Sequence, residues 1–225
     1  MRALLRAALP ALLLAIGFQP PAGAAPTTNS PGAFVPQAAN EGVAEGNAAF
    51  LKKDYAGARK SFEKVLGLMP ESLVALVNLG LVEFYSGNTP RAEQLLKRAV
   101  GIRLDNPSAW LTLGMIYMDA EKFDEALAAL SQAMVQDPRN PRIRNFLGVV
   151  IGRKGWLDGA QSELRRAVEL DASYADAHYN LAVFYLEEKP PATELARRHY
   201  YRALELGVEK DAAIEKVLKS QPPTR

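Results

Sequence analysis

Gly46, Gly80, Gly114, Gly148 and Ala182 follow one another at a constant interval of 34 residues. Ala58, Ala92, Ala126 and Ala160 keep that interval. So do Phe62, Leu96, Leu130 and Leu164, and again Val65, Ala99, Ala133 and Ala167. Four registers sharing one period do not arise from generic amphipathic helices. They mark a unit repeated along the chain, and a repeat constrains the fold more than any other pattern. In the fifth copy the second half slips by two residues, to Ala196, Tyr200 and Ala203. The slip falls at Glu187-Glu188-Lys189-Pro190-Pro191, where proline breaks a helix and a turn absorbs an insertion cheaply.

Each copy reads as two amphipathic helices joined by a short turn. In the third, the pattern predicts helices over residues 108–120 and 123–135. The small residue of the first helix is expected to face the small residue of the second, so that the backbones approach closely. Trp110, Tyr117 and Leu130 then fill the surrounding space, with Trp110 in the interior. One hairpin cannot bury its apolar faces alone, so neighbouring copies must stack.

The pattern resembles the tetratricopeptide repeat family. The third copy carries Trp110, Leu113, Gly114 and Tyr117, then Ala126, Leu130, Ala133 and Pro138. The first carries Gly46, Tyr55, Ala58, Phe62 and Pro70. The departures are Leu104 and Ala172, where the pattern prefers Pro, and His178, where the third copy has Trp110. The resemblance implies an all-α, right-handed solenoid of five helix-turn-helix repeats across 39–208 (39–72, 73–106, 107–140, 141–174 and 175–208). Gly207 stops the last repeat helix. A further amphipathic helix within 209–220, with Ile214, Val217 and Leu218 on one face, is expected to cap the open end. Residues 221–225 are expected to be disordered.

Residues 1–24 have the parts of a secretory signal. Arg2 and Arg6 form a positive start, residues 7–18 carry no charge, and Ala22-Gly23-Ala24 offers small residues for cleavage. Twelve residues of helix rise only ~18 Å against ~30 Å of hydrocarbon, too short for an ordinary span. Residues 25–38 mix Pro, Gly, Ser and Thr without periodicity and read as a flexible leader. Export would place the protein in the periplasm or outside the cell, with a membrane contact only if the signal stays uncleaved. It also changes the charge. The chain has 27 basic and 25 acidic residues, and the excess is Arg2 and Arg6. The remainder is balanced, which removes the electrostatic reason to expect nucleic acid. The local basic cluster Arg139, Arg142 and Arg144 is interrupted by Pro141.

There is no GxSxG elbow, phosphate-cradling glycine loop, dinucleotide fingerprint or HExxH motif. The chain has no Cys and two His, which leaves little for metal or acid–base chemistry. No catalytic residue, metal ligand, cofactor or small-molecule substrate is assigned. His178 reads as a packed histidine and His199, beside Arg197 and Arg198, as part of a solvated face. The adjacent carboxylates Asp124-Glu125 and Glu187-Glu188 point ~100° apart on a helix and cannot flank one substrate atom.

In the family, the first helix of each repeat lines a groove for protein or extended peptide. The resemblance therefore carries a candidate surface onto Asn47 and Phe50 of the first copy, and Val77, Asn78, Leu81 and Tyr85 of the second. It continues through Leu111, Met115 and Met118 of the third, Asn145, Val149 and Arg153 of the fourth, and Tyr179 and Asn180 of the fifth. Methionine suits adaptable apolar contact, and an amide can pair with a peptide backbone whatever its sequence. Gly152 is expected to open space beside Arg153. Some family members hold a terminal carboxylate with Asn and Lys or Arg. Asn47 and Asn78 match two such positions, but Val43, Ser108 and Thr112 stand where cations should be, so that clamp is incomplete. Trp156 falls in the turn of the fourth copy. Its ring is expected to lie over a neighbouring turn, the alternative being an exposed anchor for a partner. The functional expectation is a non-catalytic binding scaffold of the cell envelope. The alternatives are an accessory subunit presenting substrates to a separate enzyme or assembly machine, and a self-associating scaffold.

Overall fold

The computed structural model describes residues 36–220. The expected signal, most of the leader and the tail lie outside the described residues. Among the described residues there are eleven helices and no strand: α1 (Gln37–Leu51), α2 (Tyr55–Leu68), α3 (Leu73–Tyr85), α4 (Thr89–Ile102), α5 (Pro107–Asp119), α6 (Phe123–Gln136), α7 (Pro141–Arg153), α8 (Leu157–Leu170), α9 (Ala175–Glu187), α10 (Thr193–Glu205) and α11 (Ala212–Ser220). Helix α1 begins at Gln37, two residues inside the segment expected as a leader. The chain divides into two compact units, the first holding α1–α5 and the second α6–α11. The division falls between the two helices of the third predicted repeat. In the first unit α1 pairs with α2 and α3 with α4, and α5 packs on α4. In the second, α7 pairs with α8 and α9 with α10, and α6 packs on α7.

The hairpins turn on a repeated backbone device. Lys53, Gly87, Glu121 and Gly155 stand 34 residues apart and take φ of 60°, 85°, 55° and 91°. Each ends a first helix in the left-handed conformation. Where the closing bonds lie within one unit, the amide of the next residue reaches back five positions: Asp54 N–H donates to Ala49 O at 2.9 Å, Asn88 to Glu83 O at 2.8 Å and Trp156 to Ile151 O at 3.2 Å. These bonds satisfy carbonyls that the helix end leaves unpaired. Glycine takes the left-handed region freely, whereas Lys53 and Glu121 do so at a cost.

Helix starts are set by side chains. Asp54 Oδ1 accepts from Gly57 N–H at 2.9 Å, Asn106 Oδ1 from Ala109 N–H at 3.0 Å and Asn140 Oδ1 from Arg142 N–H at 3.0 Å. Pro107 and Pro141 follow two of these caps, at positions where a missing N–H costs nothing. Between repeats, a second recurring contact ties each turn to the following first helix. Trp110 Nε1–H donates to Leu104 O at 2.7 Å, Arg144 donates to Pro138 O at 3.1 and 3.3 Å, and His178 Nε2 meets Ala172 O at 3.3 Å. All three donors lie six residues after their acceptor, at one register of the repeat. Trp, Arg and His are thus interchangeable there as donors. Trp110 is consequently half-buried at the turn, not interior as expected.

Close helix approach comes from a small residue receiving a large one. A Cβ on Gly46 would lie 2.7 Å from the Phe62 ring, one on Gly80 2.8 Å from Leu96, and one on Gly148 2.7 Å from Leu164. At Gly148 the added Cβ would also lie 3.0 Å from the carbonyl of Ala160, the small residue of the second helix, so small does face small there. The glycine is a socket for the bulky side chain sixteen positions later. Gly152 follows the same rule across repeats: a Cβ there would run into the Phe184 ring, so the space expected beside Arg153 is already filled.

Candidate peptide-binding surfaces

In the first unit, Asn47 on α1 and Asn78 on α3 meet, Asn78 Nδ2 donating to Asn47 Oδ1 at 3.0 Å. Both remain half-exposed. Beyond this pair lies an aromatic cluster. The Phe50 ring stands 5.6 Å from that of Tyr85 in an edge arrangement and 5.7 Å from that of Tyr55, and the Tyr55 and Tyr85 rings stack. Phe50 and Leu81 belong to the hydrophobic cluster formed with Ala58, Phe62, Leu79 and Val82. Much of their surface is therefore spent holding α1, α2 and α3 together. Val77, Leu81 and Leu111 are buried, and Met115 and Met118 are each only 1% exposed. The apolar part of the expected surface is thus far less accessible than its sequence suggests, while the amides of Asn47 and Asn78 stay half-exposed.

The first unit also contains a charge network that the sequence did not reveal. Glu83 is fully buried. It receives Arg59 at 2.7 and 3.1 Å and Asn88 at 3.1 Å, with Arg91 at 3.3 Å. Burial pushes its carboxyl up, but the Arg59 and Arg91 charges and these hydrogen bonds outweigh burial and hold it below the usual range. In the next repeat the same two registers are held by Tyr117 and Glu93, whose phenol and carboxylate meet at 3.1 Å.

In the second unit, Asn180 Nδ2 on α9 donates to Asn145 Oδ1 on α7 at 2.9 Å, and both are buried, as is Val149. Arg142 and Asp176, from the same register of successive repeats, face each other from these two helices. Burial pushes the Asp176 carboxyl up to about 6, against the opposing pull of Arg142. Arg153, half-buried, has its guanidinium lowered by burial despite Glu187 and Glu121, and burial raises Glu187. Tyr179 has another task. Its hydroxyl donates to Asp211 Oδ2 at 2.7 Å, and Asp211 Oδ1 caps α11 by accepting from Ala213 and Ile214 N–H at 2.8 and 3.1 Å. Burial and this carboxylate both raise the Tyr179 phenol.

The two histidines, expected apart, form a pair. His178 Nδ1 and His199 Nδ1 are 2.9 Å apart, and the Tyr185 ring stacks on His199 at 5.7 Å. With Nε2–H of His178 donating to Ala172, its Nδ1 accepts from Nδ1–H of His199, an assignment made from the partners. Burial, then the facing His178 and Arg198, depress His199 to about 4. Burial with Arg202 and Arg198 lowers His178, against its bond to Ala172 and the charge of Asp171. His199 is therefore not a solvated face. Trp156 departs from expectation in the opposite sense: its ring is 57% exposed, with the Lys154 ammonium 5.4 Å from its centroid. Among the described residues no group of three or more potential ligands could hold a metal ion, and no helix is long and apolar enough to cross a membrane.

Stacked helical hairpins with a common 34-residue register, amides on first helices and no assembled catalytic group define a repeat protein built to present surfaces. Two family models described as tetratricopeptide repeat match residues 43–110 and 83–149, and the chain belongs to that family. Its repeats are a protein–protein interaction scaffold. Among solved structures, pilF of Pseudomonas aeruginosa superposes with a TM-score of 0.71 at 18% identity, covering 82% of this chain and 86% of that one. A thermophilic TPR protein of Thermus thermophilus gives 0.67 at 22% identity, covering 81% and 97%. YrrB, described as a TPR protein with an unusual peptide-binding site, gives 0.59 at 22%, covering 81% and 92%. These likenesses show the fold. A BBSome complex member BBS4 homolog of Drosophila melanogaster is 27% identical over 162 residues, 72% of this chain and 32% of its own length. The chain spans less than a third of the length of the curated relatives that it matches.

Proposed function

We propose that the protein is a non-catalytic, exported scaffold that holds an extended protein segment along the first helices of its repeats. The observation that carries the reading is the pairing of amides between successive first helices, Asn47 with Asn78 and Asn145 with Asn180. Each bond uses one donor and one acceptor. In the half-exposed first pair Asn47 keeps both amide N–H groups and Asn78 keeps a carbonyl oxygen, so this pair presents what a peptide backbone needs, whereas the second pair is buried and joins α7 to α9. The buried Met115 and Met118 then serve as supporting floor. Residues 1–24 support export, and with it a partner of the cell envelope.

The test is site-specific photocrosslinking in the native envelope, with the crosslinker at half-exposed Asn78 or at exposed Lys64 on the second helix α2. A discrete adduct from position 78 and none from position 64 is expected, in the periplasmic or secreted fraction. Equal capture from both positions, or none from position 78, overturns the groove reading. Adducts confined to the cytoplasm overturn export.

A further inference from the structure

Trp156 is a residue that folding does not explain. It stands at the N-cap of α8, where a Ser, Thr, Asp or Asn side chain ordinarily accepts from a free helix N–H. Asp54 does this at the same register of the first repeat, accepting from Gly57 N–H at 2.9 Å. An indole offers no acceptor, and α8 starts without a side-chain cap. Burial does not compensate, since 57% of the residue is exposed. Nor does its N–H hold a turn together. Among the described residues it donates to none, whereas Trp110 Nε1–H donates to Leu104 O at 2.7 Å.

The surroundings of the ring are charged. The Lys154 ammonium lies 5.4 Å from the indole centroid and donates to Asp124 Oδ1 on α6. The three side chains therefore meet on one edge of the second unit, and the ring already faces one cation. The Asp124 side chain is 84% exposed, and its Oδ2 has no partner among the described residues. Asp158, two residues beyond Trp156 in the first turn of α8, is exposed and makes no ion pair among the described residues. The other ammonium of these two turns, exposed Lys122, reaches neither the ring nor either carboxylate.

We propose that Trp156, with Asp124 and Asp158 beside it, is the anchor point for an arginine side chain of a protein partner. This surface is separate from the first helices and does not depend on what binds there. A planar guanidinium stacks on an indole face and keeps its in-plane N–H groups for carboxylates at the edge of the ring. An exposed Trp that serves neither a cap nor the core is the kind of residue in which binding energy concentrates, and Arg is its common counterpart.

The probe is a phage-displayed library of random twelve-residue peptides, selected on the full chain and counter-selected on Trp156→Ala, which removes peptides bound elsewhere. The peptides that remain should share an arginine. Synthetic copies with citrulline in its place, alike in shape but neutral, should bind about tenfold more weakly. Asp124→Asn combined with Asp158→Asn should weaken the arginine peptide and leave its citrulline copy unchanged. Trp156→Asp separates anchoring from folding. It restores the cap seen in the first repeat, so it should melt no lower than wild type while losing these peptides. A Trp156-dependent consensus without arginine, full tolerance of citrulline, or the absence of any Trp156-dependent peptide overturns the assignment. So does a Trp156→Asp melting midpoint well below wild type, which would give the ring to the fold.

Discussion

His178 and His199 share one hydrogen bond, and a second proton would set two cations 2.9 Å apart. Both imidazoles are held below their ordinary value, His199 at about 4. The unfolded chain protonates them near pH 6.5, so it binds more protons than the fold between about 6.5 and 4. Their contribution is therefore present above pH 6.5 and is lost as pH falls through that window. Asp176 has the opposite sign: its pKa is raised, so its cost grows as pH rises through about 6. Melting midpoints of wild type and His199→Gln separate the two. The gap between them should be widest near pH 7.5 and shrink by pH 4.5, whereas a gap independent of pH contradicts the neutral pair. The sequence showed one part of this, since His178 reads as packed and is buried, but not the pairing. His178 was recognisable as standing at the Trp110 register, but its shared task, holding a turn carbonyl six residues back, is a backbone fact. His199 read as solvated because Arg197 and Arg198 precede it, and only the α9–α10 packing shows which way it faces.

At the scale of the element, the 34-residue period foretold first and second helices and the turns between them, and the amphipathic pattern beyond the repeats foretold the terminal helix. It did not show how elements lock. The period marked the small residues but not their bulky guests, because Phe62 and Gly46 recur at equal intervals and nothing in periodicity says which register opposes which. Helix α11 shows what else the pattern lacked. Ile214 and Leu218 are buried, as an amphipathic reading requires. The anchoring itself is polar. Asp211 caps the helix and accepts from Tyr179. Its N–H donates to the Tyr200 hydroxyl at 2.8 Å, and Arg197 donates to Leu218 O at 2.9 Å. Asp211→Ala removes the cap and the Tyr179 partner together, costing ~1–2 kcal/mol locally. Amide exchange across residues 212–220 should then quicken about tenfold or more, since about 1.4 kcal/mol is a factor of ten in an opening equilibrium. Unchanged exchange would show that apolar contact alone holds α11.

For the whole molecule, repeat architecture specifies a surface before it specifies a ligand. Counting charges removed nucleic acid from the expectation, and the absent motifs removed the known catalytic constellations. What the sequence overstated was the apolar groove. Phe50, Leu81, Met115 and Met118 are at the first-helix positions where the family binds, yet they are buried and partly committed to packing. What it understated was the polar component, because the Asn47–Asn78 and Asn145–Asn180 pairs join positions 31 and 35 residues apart, off the 34-residue period. The central claim is that first helices, not second helices, receive the partner. Hydrogen exchange of the protein alone and with its crosslink-identified partner segment tests it most directly. Added protection in α1, α3, α7 and α9, with α2, α4, α8 and α10 unchanged, is the predicted result. Protection centred on the second helices, or on the turn carrying Trp156, would contradict it.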